Sequence, residues 1–385
     1  MSAGFFIRHG RPYHGRRLFL FSPGLLPIGH GPAGNLLVHG CIPMLVIAIL
    51  TILLALAFTF TNGFQDASSI AATFIASRSA SPRSGIIFIA GMSLLGAVFG
   101  GSAVVFTMTG LISVPSSAGE LTVLFVALVT ATAWNLITWK FALPSSSTHA
   151  LIGGLVGGGV AAAGIPGVLW GVAELTGPEP QLTGFLKIIA FFVLSILIGF
   201  VGSFAMHKIT SAAMRNAGRQ ENRKIALLNW CAAALMAFFN GANDPQKQMG
   251  MIAMVLVAAG FAAAPDVPLW ARGACALLMA LGTISGGWRI MNTLGRRIFR
   301  IEPVHSFDSQ VFSASSIAVS TLAGAPVSST QIITMSVLGV GAAKNPRKVQ
   351  WQVGREIAIA MVITIPATML IAGVLFLLIS PVIGA

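Results

Sequence analysis

Two acidic residues, Asp66 and Asp244, lie in the same short motif. The motif reads Asn-Gly-x-x-Asp and occurs at residues 62–66 and 240–244, each time beside long uncharged sequence. A carboxylate within a bilayer costs about 3 kcal/mol or more unless it is paired, so such acids usually bind ions or protons. Asn-Gly is also a common turn signal, and a polar turn at a helix end is the alternative. We favour ion binding, because a turn does not require the same Asn and Asp twice.

Each half of the chain also carries hydroxyl side chains behind a proline. The two runs read PSSSTH at residues 144–149 and PVSSTQ at residues 326–331. Proline favours the first turn of a helix, so we expect these hydroxyls and free backbone N–H groups at a helix N-terminus. Such a helix end favours phosphate or sulfate without any fixed positive charge. Hydrogen bonding within or between membrane helices is the alternative use of these hydroxyls.

The two motifs recur in the same order with nearly the same separation, which indicates a tandem duplication. We therefore divide the chain into an N-terminal extension at residues 1–43, a first repeat at 44–206, a basic cytoplasmic connection at 207–224, and a second repeat at 225–385. The extension has four arginines before a short apolar stretch, but no clear cleavage site of a targeting segment, and its role is uncertain.

The composition predicts an all-α membrane protein. Hydrophobic residues make up 55% of the 385 positions and charged residues only 9%, whereas soluble domains carry about 25% charged residues. Several uncharged stretches reach the roughly 20 residues that cross a bilayer as a helix. We expect a multi-pass protein of a bacterial-type inner (plasma) membrane, in contact with lipid, with about ten to twelve membrane segments. A homo-oligomer remains an open alternative.

Basic residues outnumber acidic residues by 23 to 10. The cations are concentrated in short connections between apolar segments, as the positive-inside bias predicts for cytoplasmic loops. These loops lack the interleaved aromatic residues that single-strand nucleic-acid binders use. We therefore expect no nucleic-acid partner.

Further polar residues adjoin the repeated motifs. Four amide side chains offer neutral oxygens and N–H donors to a hard cation or an oxyanion: Asn62, Asn240, Asn243 and Gln246. Lys247 follows Asp244 by three residues and either pairs with it across a helical turn or extends to the membrane surface. His149 adjoins serines, but neighbours on a helix point apart, so we expect helix packing or substrate contact rather than a catalytic Ser-His pair.

These residues make the sequence resemble the inorganic phosphate transporter family. The family signatures read approximately N-G-F-H-D-A-x-N and G-A-N-D-A-Q-K, and they stand here as NGFQDASS at residues 62–69 and GANDPQK at residues 241–247. The similarity runs from about Met44 to the C-terminus. Gln65, Asn240 and Gln331 stand where the family usually has histidine, so a histidine-based proton relay is not expected.

The resemblance implies a secondary transporter, not an enzyme, that works by alternating access and is built from two inverted repeats with re-entrant helical hairpins. It implies no cofactor, and a coupling ion that is Na⁺ or H⁺. Asp66 and Asp244, with Asn62 and Asn243, would handle the cation, and the two aspartates would be metal ligands if the ion is Na⁺. The expected ligands of inorganic phosphate are Ser146, Ser147, Thr148, Ser328, Ser329, Thr330, Asn62, Asn240 and Gln246.

Three alternatives remain at this point. Sulfate or metal-phosphate symport is the alternative within the same family. A channel would not accumulate its substrate against a gradient. An intramembrane hydrolase is the alternative from another class, and it would need His149 and a serine for activity.

Overall fold

The computed structural model describes residues 32–141, 145–215, 221–286 and 301–383. The chain divides into two compact units, residues 1–41 and residues 42–385. In the first unit, the described residues 32–41 are helical. All side chains discussed below belong to the second unit.

The described residues are mainly helical. The first half contains α1 (Pro32–Ala76), α2 (Pro82–Phe99), α3 (Ala103–Thr109), α4 (Ser117–Lys140), α5 (Ser147–Ala163), α6 (Val172–Thr176), α7 (Gly184–Leu197) and α8 (Ser203–Ala213), with a π-helical turn, Ile198–Gly202, between the last two. The second half contains α9 (Glu221–Ala258), α10 (Leu269–Ser285), α11 (Pro303–Leu322), α12 (Ser329–Lys344) and α13 (Trp351–Ile383). Two short 3₁₀ helices are Ile165–Gly167 and Pro346–Lys348.

Six helical segments in the described part of the chain are long and apolar enough to cross a membrane: Met44–Ala76, Pro82–Phe99, Ser117–Lys140, Gly184–Ala213, Lys224–Ala258 and Gly354–Val382. Two shorter apolar helices are Ser147–Ala163 and Leu269–Ser285. These helices confirm the predicted all-α integral membrane protein. The count of about ten to twelve segments stays a prediction, because residues 287–300 lie outside the described residues.

The glycine of each Asn-Gly-x-x-Asp motif lies inside a long helix. A Cβ atom on Gly63 of α1 would collide with the carbonyl oxygen of Met279 in α10, and one on Gly241 of α9 would collide with that of Ser93 in α2. Small residues mark the places where membrane helices approach this closely. The alternative of a polar turn is therefore wrong, and each motif glycine packs its helix against one from the other half of the chain.

Two pairs of helices form antiparallel hairpins. In the hairpin of α4 and α5, Gly154 lies against Ala127 and Gly158 lies against Val123. In the hairpin of α11 and α12, Lys344 at the end of α12 pairs with Glu302, just before α11, at 3.0 Å. We call residues 145–148 the first tip and residues 325–330 the second tip.

The second hairpin runs along α9 from the start of that helix. Asn229, near the start of α9, donates to the carbonyl oxygen of Pro303 at 3.3 Å, and Asn243 donates to Thr321 near the end of α11 at 2.9 Å. The helix α11 is therefore parallel to α9, and the second tip lies beside the middle of α9.

The open end of the first hairpin, where α4 begins and α5 ends, lies beside a later part of α9 than the first tip does. Gly250 of α9 packs against α3, and the chain just after α3 pairs with the chain after α5 through a β-bridge between Ile112 and Val168. The first tip lies instead at Lys247, whose Nζ is 2.6 Å from Thr148 Oγ1. The two tips therefore meet beside the middle of α9 from opposite directions.

Two clusters of buried apolar side chains form the core. Along α1 the larger cluster includes Ala48, Ala55 and Phe58, and the smaller cluster includes residues between 70 and 74. Along α9 the order is reversed, with the smaller cluster between residues 233 and 237 and the larger cluster between 249 and 258. Asp66 and Asp244 therefore each lie between the two clusters.

Candidate functional site

The two repeated aspartates meet at the second tip. The Oγ atom of Ser329 lies 3.2 Å from Asp66 Oδ1 and 3.1 Å from Asp244 Oδ2. Both aspartates are buried, with 3% and 1% of their surface exposed. A serine hydroxyl has a single hydrogen and can donate to only one carboxylate at a time. The two acids therefore compete for this donor.

Lys247 offsets the charge of one of these acids. Its ammonium forms an ion pair with Asp244 Oδ1, three residues earlier on α9, and only 1% of the lysine is exposed. At an effective dielectric constant of about 20, two unit charges about 4 Å apart interact by about 4 kcal/mol, so one nearby cation matters to such a pair of acids. The predicted pairing with Asp244 is confirmed, and the alternative of extension to the membrane surface is wrong.

The same ammonium also joins the two tips. Lys247 Nζ donates to Thr148 Oγ1 of the first tip at 2.6 Å and to the carbonyl oxygen of Val327 in the second tip at 2.9 Å. Thr148 Oγ1 itself donates to that carbonyl at 3.1 Å. The two tips and α9 therefore share one hydrogen-bonded centre.

Asp66 has hydroxyl partners but no ion pair among the described residues. Thr330 Oγ1 lies 3.3 Å from Asp66 Oδ1, and Ser69 Oγ lies 3.4 Å from Thr330 Oγ1. The other carboxylate oxygen, Oδ2, is buried and has no hydrogen-bond partner within the part of the chain that the structure describes. Asp66 is thus a buried acid with one carboxylate oxygen that lacks a described hydrogen-bond partner.

The hydroxyl runs begin helices, as predicted. Ser146 is the N-cap residue of α5, where its hydroxyl accepts from the backbone N–H of His149 at 3.1 Å, and Ser328 is the N-cap residue of α12. The predicted reason needs correction, since Pro326 precedes the N-cap rather than occupying the first turn, and Pro144 lies outside the described residues. The hydroxyl side chains at the caps mark these helix starts.

Asn62 and Asn240 occupy equivalent positions one turn before the acids. Asn62 Oδ1 accepts a hydrogen bond from Ser147 at the start of α5. Asn240 is fully buried, and neither atom of its amide group has a hydrogen-bond partner among the residues described. Both remain candidates for substrate contact, and Asn240 has the more available amide.

The side chain of Gln246 forms hydrogen bonds with the connection between α2 and α3. Its Oε1 accepts from the backbone N–H of Val104 in α3 at 2.9 Å, and its Nε2 donates to the carbonyl oxygen of Gly100 at 3.0 Å. The side chain therefore caps the connection between α2 and α3. The predicted contact of Gln246 with phosphate stays a prediction.

Asn243 holds the second tip in place. Its Nδ2 donates to Thr321 Oγ1 at 2.9 Å and to the carbonyl oxygen of Ala325 at 3.1 Å, and its Oδ1 accepts from the backbone N–H of Val327 at 3.3 Å. Both amide hydrogens and the oxygen are used. These contacts position the second tip, and the predicted role of Asn243 in cation binding stays a prediction.

His149 contacts Gln331, and each of the two residues directly follows one of the tips. Its ring stacks on Phe192 with centroids 4.2 Å apart, and Gln331 Nε2 lies 3.1 Å from each ring nitrogen. His149 and Gln331 occupy equivalent positions in the two hydroxyl runs. These contacts agree with helix packing, one of the two roles predicted for His149, and substrate contact stays a prediction.

Two polar residues at the site escaped the sequence reasoning. Ser69 lies three residues after Asp66, as Lys247 lies three residues after Asp244. This equivalent position in the two motifs would have identified Ser69 as a site residue. Gln248 lies one helical turn after Asp244, is 1% exposed, and has no described partner for either atom of its amide group. Helical periodicity from Asn240 through Asp244 would have identified it.

Most of the chain is similar to known proteins of one family. Residues 62–372 match the model of the Phosphate transporter family. A probable low-affinity inorganic phosphate transporter of Bacillus subtilis is 35% identical over 340 residues, covering 88% of this chain and 98% of that protein. A protein of the same description from Rhizobium meliloti is 36% identical, covering 84% of this chain and 94% of that one.

A solved structure supports the fold. The structure titled "The sodium-dependent phosphate transporter" superposes with a TM-score of 0.76 at 22% identity, covering 87% of this chain and 99% of that chain. The names of the relatives point to a transporter rather than to an enzyme. With most of its length matched by the family model and its relatives, this chain belongs to the phosphate transporter family.

Proposed function

We propose that this chain is a secondary active transporter that carries inorganic phosphate together with Na⁺ by alternating access. The observation that carries the proposal is the convergence of Asp66 and Asp244 on Ser329, where Lys247 forms an ion pair with Asp244 and Asp66 has none among the described residues. A phosphate anion entering this site meets an uncompensated buried carboxylate, and that repulsion is strong in a medium of low effective dielectric constant. A bound cation removes it.

Phosphate has a suitable set of donors at the two tips. The N-termini of α5 and α12 both begin in the tips, and helix N-termini favour anions through their free N–H groups and dipole. Ser147, Thr148, Ser329 and Thr330 add hydroxyls, and Asn240, whose amide has no hydrogen-bond partner among the described residues, adds a donor. Ser146 and Ser328 contribute as the cap residues that start the two helices.

Na⁺ has a suitable set of oxygens at Asp66. Hard cations prefer carboxylate, hydroxyl and carbonyl oxygens. Asp66 Oδ2, which has no partner among the described residues, offers such an oxygen together with the hydroxyls of Ser69 and Thr330. The sodium dependence in the name of the similar solved structure supports Na⁺ as the first candidate. A proton bound to Asp66 is the second candidate, because it removes the same charge.

Alternating access fits the position of the site. The acids lie between two apolar clusters along both α1 and α9, so opening either cluster would admit water from one side only. The two hairpins reach the site from opposite directions. Two repeats of inverted orientation would produce this arrangement. Rocking of the halves would open the clusters alternately.

Uptake into proteoliposomes tests the proposal. The purified protein is reconstituted, and accumulation of labelled phosphate is measured under an inward Na⁺ gradient alone and under an inward proton gradient alone. We expect accumulation above the equilibrium level with Na⁺ and none with protons. Uptake that only equilibrates would indicate a channel, and proton-driven accumulation would exclude Na⁺ coupling.

Competition tests the substrate. Excess unlabelled phosphate should abolish uptake of the label, and the same excess of sulfate should leave it nearly unchanged. Equal inhibition by sulfate would contradict selectivity for phosphate. Removal of divalent metals with a chelator should have no effect, and loss of uptake would indicate a metal-phosphate substrate.

A further inference from the structure

The site is built from two copies of the same motifs, and the copies differ in one charge. The first copy is residues 62–69 with the first tip, and the second copy is residues 240–247 with the second tip. Ser69 and Lys247 occupy equivalent positions, each three residues after its motif aspartate. Ser69 contacts Thr330 of the second tip at 3.4 Å, and Lys247 contacts Thr148 of the first tip at 2.6 Å. Thr148 and Thr330 are also equivalent positions. Each copy therefore reaches the tip of the other in the same way, but one uses a hydroxyl and the other an ammonium.

The ammonium of Lys247 has the surroundings of a bound cation. Its three described partners are a carboxylate oxygen of Asp244, the hydroxyl of Thr148 and the carbonyl oxygen of Val327. These are the oxygen types that bind hard metal cations. The side chain is also buried, so its charge is not screened by water.

The equivalent place in the first copy offers oxygens without a fixed cation. Ser69 and Thr330 supply hydroxyls. Asp66 Oδ2 is buried and has no partner among the described residues. An ionised, unpartnered buried carboxylate is costly and is normally compensated by a ligand of opposite charge.

We infer that Lys247 is a tethered replacement for a second coupling cation, and that a single Na⁺ is bound per transport cycle, at Asp66, Ser69 and Thr330. This inference rests on the proposed function and specifies its stoichiometry. Each site of the duplicated pair is then neutralised by one positive charge, fixed in the second copy and exchangeable in the first.

The number of cations can be counted from binding without transport. Below saturation, a tenfold increase in Na⁺ concentration raises phosphate affinity tenfold for each Na⁺ bound together with phosphate. Phosphate affinity of the full-length protein in detergent is measured against Na⁺ concentration, with choline chloride keeping ionic strength constant. The wild type should show a slope of one on logarithmic axes.

Two reciprocal variants test the role of the lysine. Lys247→Ser gives the second copy the residue of the first, and the slope should rise toward two. Ser69→Lys gives the first copy an ammonium, and the slope should fall to zero. Lys344→Ser is the control, because Lys344 is exposed and pairs with Glu302 at the open end of the hairpin, and it should keep a slope of one.

A wild-type slope of zero or two would overturn the inference, as would a Ser69→Lys protein whose slope stays at one. Ser69→Lys decides the question alone if Lys247→Ser does not fold. A folded wild type that binds no phosphate contradicts the proposed function instead. In that case the cation site is tested by measuring the melting temperature with Na⁺ and without phosphate. Na⁺ should raise the melting temperature of the wild type but not that of Ser69→Lys. An equal rise in both proteins would overturn the inference.

Discussion

Asp66 and Ser329 are 263 positions apart in the chain and are joined by a hydrogen bond of 3.2 Å. Asp66 belongs to α1, and Ser329 is the first residue of α12. The same hydroxyl reaches Asp244 in α9 at 3.1 Å. Ser329 therefore links both acids to the second tip.

Replacing Ser329 by Ala should lower phosphate uptake by about tenfold or more. A hydrogen bond to a charged group contributes about 1.5–3 kcal/mol, and this change leaves both carboxylates without that donor. Initial rates in proteoliposomes measure the effect. Ser315→Ala is the matched control, because Ser315 is exposed on α11 and bonds only to Val311 of its own helix among the described residues. Equal rates for the two variants would remove Ser329 from the mechanism.

Replacing Asp66 by Asn should reduce phosphate uptake by about 100-fold while the protein stays folded. The amide keeps the shape of the side chain but removes the charge that binds the cation, and losing a charged interaction of about 3 kcal/mol corresponds to that factor. Uptake and melting temperature are measured together. Glu179→Gln removes an exposed carboxylate and should change neither quantity. Undiminished uptake by Asp66→Asn would contradict the assigned role.

Replacing Gly241 by Ala should destabilise the protein by about 1–3 kcal/mol, the usual cost of overpacking a closely packed interface. The new Cβ would collide with the carbonyl oxygen of Ser93. The melting temperature in detergent measures the effect. Gly91→Ala in α2 is the control, since a Cβ there meets no atom within 4 Å. Its stability should be unchanged or slightly higher, because Ala is the better helix former. A lower melting temperature in Gly91→Ala alone would contradict the packing argument.

Replacing Asn243 by Ala should loosen the second tip. Three hydrogen bonds from one amide group hold Thr321, Ala325 and Val327, and local opening becomes easier when such bonds are lost. Hydrogen–deuterium exchange over residues 323–328 should become at least about tenfold faster, as expected for a loss of about 1.4 kcal/mol. Exchange in residues 145–148, which Asn243 does not contact in the described structure, is the internal control. Equal acceleration in both tips would indicate general unfolding.

Part of the site follows from the sequence because two polar motifs each occur twice in it. Asp66, Asp244 and the hydroxyl runs stand out as polar patterns that occur twice in an apolar chain, and their meeting at Ser329 agrees with that expectation. The turn interpretation of Asn-Gly failed for a physical reason. A glycine that permits close helix packing has the same local sequence as one that permits a turn, and only the opposing backbone of Met279 or Ser93 distinguishes them.

The membrane class, the helical fold and the identity of the repeated acids follow from composition and repetition, which are properties of the linear chain. The roles of individual polar side chains do not. Gln246 and Asn243 lie as near in sequence to Asp244 as Lys247 does, yet the first caps α3, the second holds the second tip, and the third neutralises the acid. Side chains on one helix point in different directions, and what each one meets depends on helices that are distant in sequence.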